Sequence, residues 1–290
     1  MIGRLALLCG GLIVGVLTLE ICLQVAAWWN VPGRRDVSEH PLAGATRVVC
    51  LGDSNTYGLY VRREEAYPTV LQKLWTGGSE RAGATVINLA YPGNNSSAVR
   101  NRLEHALESL HPDVVMIMIG ANDLWTVPEP IPGEPAGVIY YRLWRVSRVY
   151  RLVSLLWRAL RERFAVERSA SDDPFVAVPL DGGSPGWTYA LERNLQEMAA
   201  RIRRANGEPI FLTYPSDKEA YGDANRVIRS TAASTGIRLI DLTPTFRDRC
   251  PGWTCRELFP DQHPTPAGHA LVARTIADSL ASRPPTPSAP

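Results

Sequence analysis

The sequence predicts an α/β protein: a three-layer α/β/α, flavodoxin-like domain on a five-stranded, mostly parallel sheet, preceded by one N-terminal transmembrane helix. Three observations carry this. Short runs that are apolar on both faces alternate with segments of helical period, as in a parallel sheet covered on both sides. The first three runs end in Gly52-Asp53-Ser54, Pro92-Gly93-Asn94 and Gly120-Ala121-Asn122-Asp123, so polar, glycine-containing turns gather at one rim. Residues 5–29 are apolar apart from Thr18, Glu20 and Gln24, about the length of roughly 20 residues that a bilayer requires.

The elements follow in chain order. Residues 1–30 read as an anchor: Arg4 precedes the apolar run, and Trp28 and Trp29 close it like an interfacial belt. A signal peptide cleaved near Val25-Ala26-Ala27 competes, but the run is long for one. Glu20 is costly in lipid and is expected at an interface or against a partner. Residues 31–44, with Pro32, Gly33, Pro41 and Gly44, read as a linker. The domain is expected over 45–282. "TRVVCLG" is a strand, and "EEAYPTVLQKLW" a helix interrupted near its start by Pro68. "ATVINLAYPG" is a strand, and "SSAVRNRLEHALESL" a helix with Val99, Leu103, Ala106, Leu107 and Leu110 on one face. "DVVMIMIGAND" is a buried strand. Residues 124–186 interrupt the alternation with an apolar, arginine-rich helix over 138–160 and a Gly/Pro-rich loop. That helix either packs on the domain or lies on a membrane surface. Helix, strand, helix, strand and helix then follow in "TYALERNLQEMAARIRRA", "EPIFLTYP", "ANRVIRSTAAST", "IRLIDL" and "TPAGHALVARTIADSLA". Right-handed crossovers order such strands into one sheet. Residues 283–290 are proline-rich and expected to be a disordered tail.

Composition narrows the function. The chain has 290 residues, 45% hydrophobic and 21% charged, with a net charge of +2. Neither a basic surplus nor a nucleic-acid-binding motif is present, so no nucleic-acid partner is expected. No metal-ligand cluster, P-loop or dinucleotide fingerprint appears, and no cofactor is expected. Of five cysteines, Cys250 and Cys255 flank the short segment Pro-Gly-Trp-Thr. They would form a disulfide in an exported domain and two free thiols otherwise.

Ser54 admits two roles. It is either the cap of the next helix or a nucleophile at the carboxyl edge of the sheet, where sites of such folds form. A serine hydroxyl needs a base to take its proton, and the resulting anion needs preplaced donors. Gly52-Asp53-Ser54, Gly93, Gly120-Ala121-Asn122-Asp123 and Asp261-Gln262-His263-Pro264 occur in this order at expected strand ends and before the last helix. This set resembles the SGNH, or GDSL-like, hydrolase family of esterases and lipases, over roughly residues 45–282. The resemblance implies Ser54 as nucleophile. It implies an oxyanion hole from the backbone N–H groups of Ser54 and Gly93 with the Asn122 side-chain amide. His263 would be the general base, oriented by Asp261. Two positions depart from the family pattern: Ala90 stands where a glycine is common, and Asp261 lies two residues before His263 rather than three.

The resemblance implies a serine hydrolase cleaving an acyl ester through an acyl-enzyme. The substrate would be a lipid, an acetylated glycan or a small ester, and the exported domain, periplasmic or extracellular, would be held to the membrane by the N-terminal helix. An O-acyltransferase using the same residues on a glycan, or a catalytically silent binding module, would carry the same fold. Asp53 and Asp123 are expected to be hydrogen-bonding residues, and His269 structural or exposed. The Gly182-Gly183-Ser184-Pro185-Gly186 match to G-x-S-x-G is discounted. Its nucleophile would be followed by Pro185, which has no N–H to give an oxyanion.

Overall fold

The computed structural model describes residues 2–29, 45–77, 83–124, 142–143, 146–154, 156–157, 186–218, 220–253 and 255–282. The linker, the tail, the G-x-S-x-G serine and parts of the expected 138–160 helix lie outside them. The chain divides into two compact units, one of residues 1–38 and 127–185, the other of residues 39–126 and 186–290.

The larger unit carries the sheet. Its strands are β1 (Thr46–Gly52), β2 (Ala84–Asn88), β3 (Val114–Met118), β4 (Glu208–Leu212) and β5 (Arg238–Ile240), in the order β2-β1-β3-β4-β5. All four pairings are parallel. β1 and β3 run as continuous apolar segments because both faces are covered: Val48, Val49, Cys50 and the whole of β3 are buried. This is the flavodoxin-like order, and its chain reversal falls between β1 and β3. There the two strands align up to the pair Gly52 and Met118, so the turns that follow them leave the sheet side by side at the reversal, where ligands of such sheets bind.

With α1 assigned to the N-terminal helix of the other unit (Ile2–Trp29), the helices here begin with α2 (Ser54–Tyr57), a single turn directly after β1. α3 (Tyr67–Thr76) carries Pro68 in its first turn. Pro68 therefore opens this helix rather than interrupting it, because the missing N–H at that position has no intrahelical partner; the preceding Arg63–Glu65 forms a separate 3₁₀ turn. α4 (Ser96–Leu110) starts at an Asn95 cap, whose side chain accepts from the Ala98 N–H. α5 (Trp187–Arg204), α6 (Ala220–Thr235), α7 (Thr243–Arg249) and α8 (Pro266–Ser282) complete the unit. α7 is not evident in the sequence pattern: it is short, and its Thr-Pro start reads as a turn. α3 packs on α8, while α4, α5 and α6 pack in succession, giving a helix layer on each side of the sheet. Cys250 and Cys255 form a disulfide, with Cα atoms 5.6 Å apart, and Cys255 pairs antiparallel with Phe259.

The smaller unit holds α1 and a helical run over 148–154. Glu20 caps that run: its carboxylate accepts from Ser147 Oγ at 2.8 Å and from the N–H groups of Arg148 and Val149 at 2.8 and 2.9 Å. Gln24 donates to the Val146 carbonyl at 2.9 Å and accepts from Arg148 Nε at 2.9 Å. Glu20 thus meets a partner, as its cost in an apolar run requires. The expected transmembrane helix is not shown. Among the described residues no helix is long and apolar enough to cross a membrane, and Thr18, Glu20 and Gln24 break the apolar surface. Leu12, Ile13, Val14, Leu17 and Ile21 of α1 are exposed.

Gly52 leaves no room for a side chain. A Cβ there would lie 2.6 Å from the Met118 carbonyl oxygen and 2.7 Å from Thr56 Cβ, and closer still to Thr56 Oγ1. Gly52→Ala is therefore expected to destabilise the domain by roughly 1–3 kcal/mol, the usual cost of overpacking, read as a lowered midpoint in urea with an unchanged slope.

Candidate active site

The site begins where β1 ends. Asp53, not Ser54, caps α2: its side chain accepts the Asn55 N–H at 2.9 Å. Ser54 is the first residue of that helical turn, half-buried, and its hydroxyl is left for another partner. That partner is His263, whose Nε2 lies 3.0 Å from Ser54 Oγ. Burial holds the His263 imidazole below its ordinary pKa, against the opposing charge of Asp261.

Asp261 does not grip the other ring nitrogen. Its Oδ1 is 3.9 Å from His263 Nδ1, beyond hydrogen-bond range, and accepts the backbone N–H of His263 at 2.8 Å. The two-residue spacing explains this, since an Asp two positions before a residue folds naturally onto that residue's N–H. The Asp261 side chain is also 56% exposed. The Tyr60 ring stands edge-on to the imidazole at 5.2 Å between centroids.

Gly93 and Asn122 come from the turns after β2 and β3. Gly93 has φ +77°, and a Cβ there would meet nothing within 4 Å; the position needs glycine for its left-handed backbone rather than for space. Asn94 ties this turn to its neighbours. Its side chain donates to the Gly52 carbonyl at 3.0 Å, and its own carbonyl accepts from Asn122 Nδ2 at 2.9 Å. The Gly52 carbonyl also accepts the Tyr91 N–H at 3.2 Å. The structure therefore brings Ser54 and His263 together directly, ties Asn122 through Asn94 to the Gly52 carbonyl at the end of β1, and sets Asp261 against the His263 backbone.

Two buried carboxylates sit behind the cluster. Asp53 Oδ2 accepts from the Tyr214 hydroxyl at 2.6 Å, and the Tyr214 oxygen accepts the Ala121 N–H at 3.1 Å. Burial pushes Asp53 up to about 6 against these hydrogen bonds. Asp123 accepts the Ser96 N–H at 2.9 Å and the Ser96 hydroxyl at 2.5 Å, and Asn194 donates to Ser96 Oγ at 2.7 Å. Burial pushes Asp123 up to about 7, opposed by Ser96 and aided by the Asp53 charge. Both aspartates are hydrogen-bonding residues, as expected. His269 is buried and takes the Tyr67 N–H on Nδ1 at 3.3 Å; burial lowers it to about 4. Tyr214, Tyr221 and Asn94 are the participants that the motifs did not mark. Tyr214 follows β4 at the same rim, which is a signal of position but not of chemistry.

The GDSL-like lipase/acylhydrolase family model matches residues 50–271, and the chain belongs to that family. It is an ester hydrolase by class. A search of the curated proteins finds no match. Solved structures share the fold. LAE5, an alpha/beta hydrolase enzyme from the metagenome of Lake Arreo, is 19% identical, with 81% of this chain and 95% of that chain covered and a TM-score of 0.53. The psychrotrophic esterase EstA from Pseudoalteromonas sp. is 16% identical, with 82% and 97% covered and a TM-score of 0.51. The acetyl xylan esterase Axe2 from Geobacillus stearothermophilus is 19% identical, with 81% and 94% covered and a TM-score of 0.52.

The raised carboxyl of Asp123 makes stability depend on pH. Folding lifts it from 3.8 to about 7, so the native state holds this proton more tightly than the unfolded chain. The contribution is full below pH 3.8 and is lost as pH rises through about 7. Denaturant titrations at pH 4 and pH 8 should show Asp123→Asn losing less stability than wild type between the two, by on the order of 4 kcal/mol at about 1.4 kcal/mol per pK unit.

Proposed function

We propose that the protein hydrolyses acyl esters through an acyl-enzyme on Ser54. The single observation that carries this is the 3.0 Å approach of His263 Nε2 to Ser54 Oγ at the sheet's reversal point. Neutral His263 accepts the hydroxyl proton on Nε2 as Ser54 Oγ attacks the ester carbonyl. The carbonyl oxygen becomes an oxyanion, stabilised by the N–H groups of Ser54 and Gly93 and the second N–H of the Asn122 amide, whose first is held by the Asn94 carbonyl. The C–O bond breaks, the departing alcohol takes the proton from His263, and the acyl group stays on Ser54. Water then attacks with His263 again as base, releasing the carboxylic acid.

The substrate is proposed at the level of an acyl ester. Tyr60 and Tyr91, both exposed beside the cluster, offer faces on which a sugar ring can stack, so acetylated xylan is the glycan ester to assay beside p-nitrophenyl acetate. Export and membrane attachment through residues 1–30 belong to the same reading. Their support is the apolar run at 5–29, the exposed aliphatic side chains of α1 and the disulfide, a bond that persists in oxidising compartments. Full-length protein should stay with the membrane pellet after alkaline carbonate extraction; release into the supernatant would remove the attachment.

With p-nitrophenyl acetate, Ser54→Ala and His263→Ala should each lower kcat by on the order of 10³-fold or more while the thermal midpoint holds. Asp261→Ala should cost within about 10-fold, because its carboxylate serves the His263 backbone rather than the ring. The wild-type rise of kcat/KM with pH should have its midpoint below 6.5, since burial favours the neutral imidazole. Wild-type turnover in Ser54→Ala would reject the nucleophile.

A further inference from the structure

We infer that Tyr221 is a positioning residue whose hydroxyl ties the His263 loop to the nucleophile turn, a part that Asp261 does not play in this chain. The inference rests on the Ser54–His263 reading above. The Tyr221 hydroxyl accepts from Asn55 Nδ2 at 3.2 Å and donates to the Gln262 carbonyl at 2.5 Å. Asn55 directly follows Ser54, and Gln262 directly precedes His263. One phenol oxygen therefore joins the neighbours of the two reacting residues.

The loop needs such a tie. Phe259 and Pro264 are buried, but Pro260, Asp261 and Gln262 between them are exposed, so the chain carrying the base bridges two anchors through solvent. Asp261 closes only a local turn on the His263 N–H. Tyr221 reaches the loop from α6, an element with no motif of its own. Its ring is fixed from two sides: Tyr214 lies 4.7 Å away and tilted, Phe259 5.9 Å away and edge-on. Tyr214 is itself fully buried and hydrogen-bonded to Asp53. The hydroxyl thus stands on a rigid base, and a displaced loop would lengthen the Ser54–His263 contact directly. Packing alone does not account for this arrangement, since it uses the ring, whereas the tie uses the oxygen.

Tyr221→Phe separates the two, keeping the ring and removing the oxygen. Two readouts are taken on the full-length protein: steady-state hydrolysis of p-nitrophenyl acetate, and the rate of covalent phosphorylation of Ser54 by diethyl p-nitrophenyl phosphate, followed by intact mass. The expected result is a kcat lowered roughly 10- to 100-fold, as for a misplaced reacting group, with KM within about 2-fold, phosphorylation slowed in parallel, and a near-native thermal midpoint. Unchanged kcat and phosphorylation rate, or a change confined to KM, would overturn the inference. So would a loss of activity that tracks a lowered thermal midpoint and returns on cooling. Should Tyr221→Phe fail to fold, Asn55→Ala, which removes the donor to the hydroxyl, takes the same two readouts with a smaller expected loss. Absence of any phosphorylation at Ser54 in wild type would instead sink the nucleophile reading and leave Tyr221 without a role, so the two failures are distinct.

Discussion

The site depends on how closely β1 approaches β3 at Gly52. The two strands are aligned up to the pair Gly52 and Met118, and the Gly52 Cα faces the Met118 carbonyl with no room for a methyl group. The same residue's carbonyl collects the Tyr91 N–H and the Asn94 side chain. One glycine therefore fixes the separation of the turns after β1, β2 and β3, which between them carry Ser54, Gly93 and Asn122. A side chain here would part the strands at the point where the sheet reverses, and the turns carrying Ser54, Gly93 and Asn122 would separate together. The chemistry is local, but its geometry is set by a backbone contact one pleat below it.

Most of the fold was legible in the sequence because parallel, doubly covered strands are apolar throughout. β1 and β3 are buried along nearly their whole length, so their hydrophobic runs end where the strands end. The apolar spacing of Val99, Leu103 and Leu107 marked α4, while its Asn95 cap went unread. What failed were local choices between equivalent options. Pro68 was compatible with either interrupting or opening a helix, and only the 3₁₀ turn before it decides. Gly-Asp-Ser offers two capping residues, and the cap fell to Asp53, which freed Ser54. The α7 segment has the length and composition of a loop.

Within the site, the motif residues were legible and their supports were not. Ser54, Gly93 and Asn122 follow strand ends and His263 precedes the last helix, where their presence calls for a reason. Tyr214 is a fully buried core aromatic and Tyr221 a half-buried one packed against the core, and neither carries a motif. Their hydroxyls matter only because tertiary packing brings Asp53, the Ala121 N–H, Asn55 and the Gln262 carbonyl to them. No periodicity reports such meetings between distant segments. Asp261 errs the other way. Its place before His263 suggests a grip on the imidazole, while the two-residue spacing favours the backbone N–H.

The buried aspartates show why this rim tolerates expensive groups. An unpaired buried carboxylate is costly; Asp53 accepts from the Tyr214 hydroxyl and the Asn55 N–H and Asp123 from Ser96, while burial raises both. Each joins two turns that carry site residues: Asp53 links the Ser54 turn to the Ala121 N–H through Tyr214, and Asp123 links the Asn122 turn to the start of α4. An apolar pair of the same volume would fill the space, but it would take from the Asn55 and Ser96 N–H groups the acceptors they have in a dry interior. Turns cannot satisfy their own backbone groups as helices and strands do, so a site assembled from three turns requires buried acceptors between them. The cost of those carboxylates is thus a consequence of building the site at strand ends, and the tyrosine hydroxyls extend the same solution outward to the loop that carries His263.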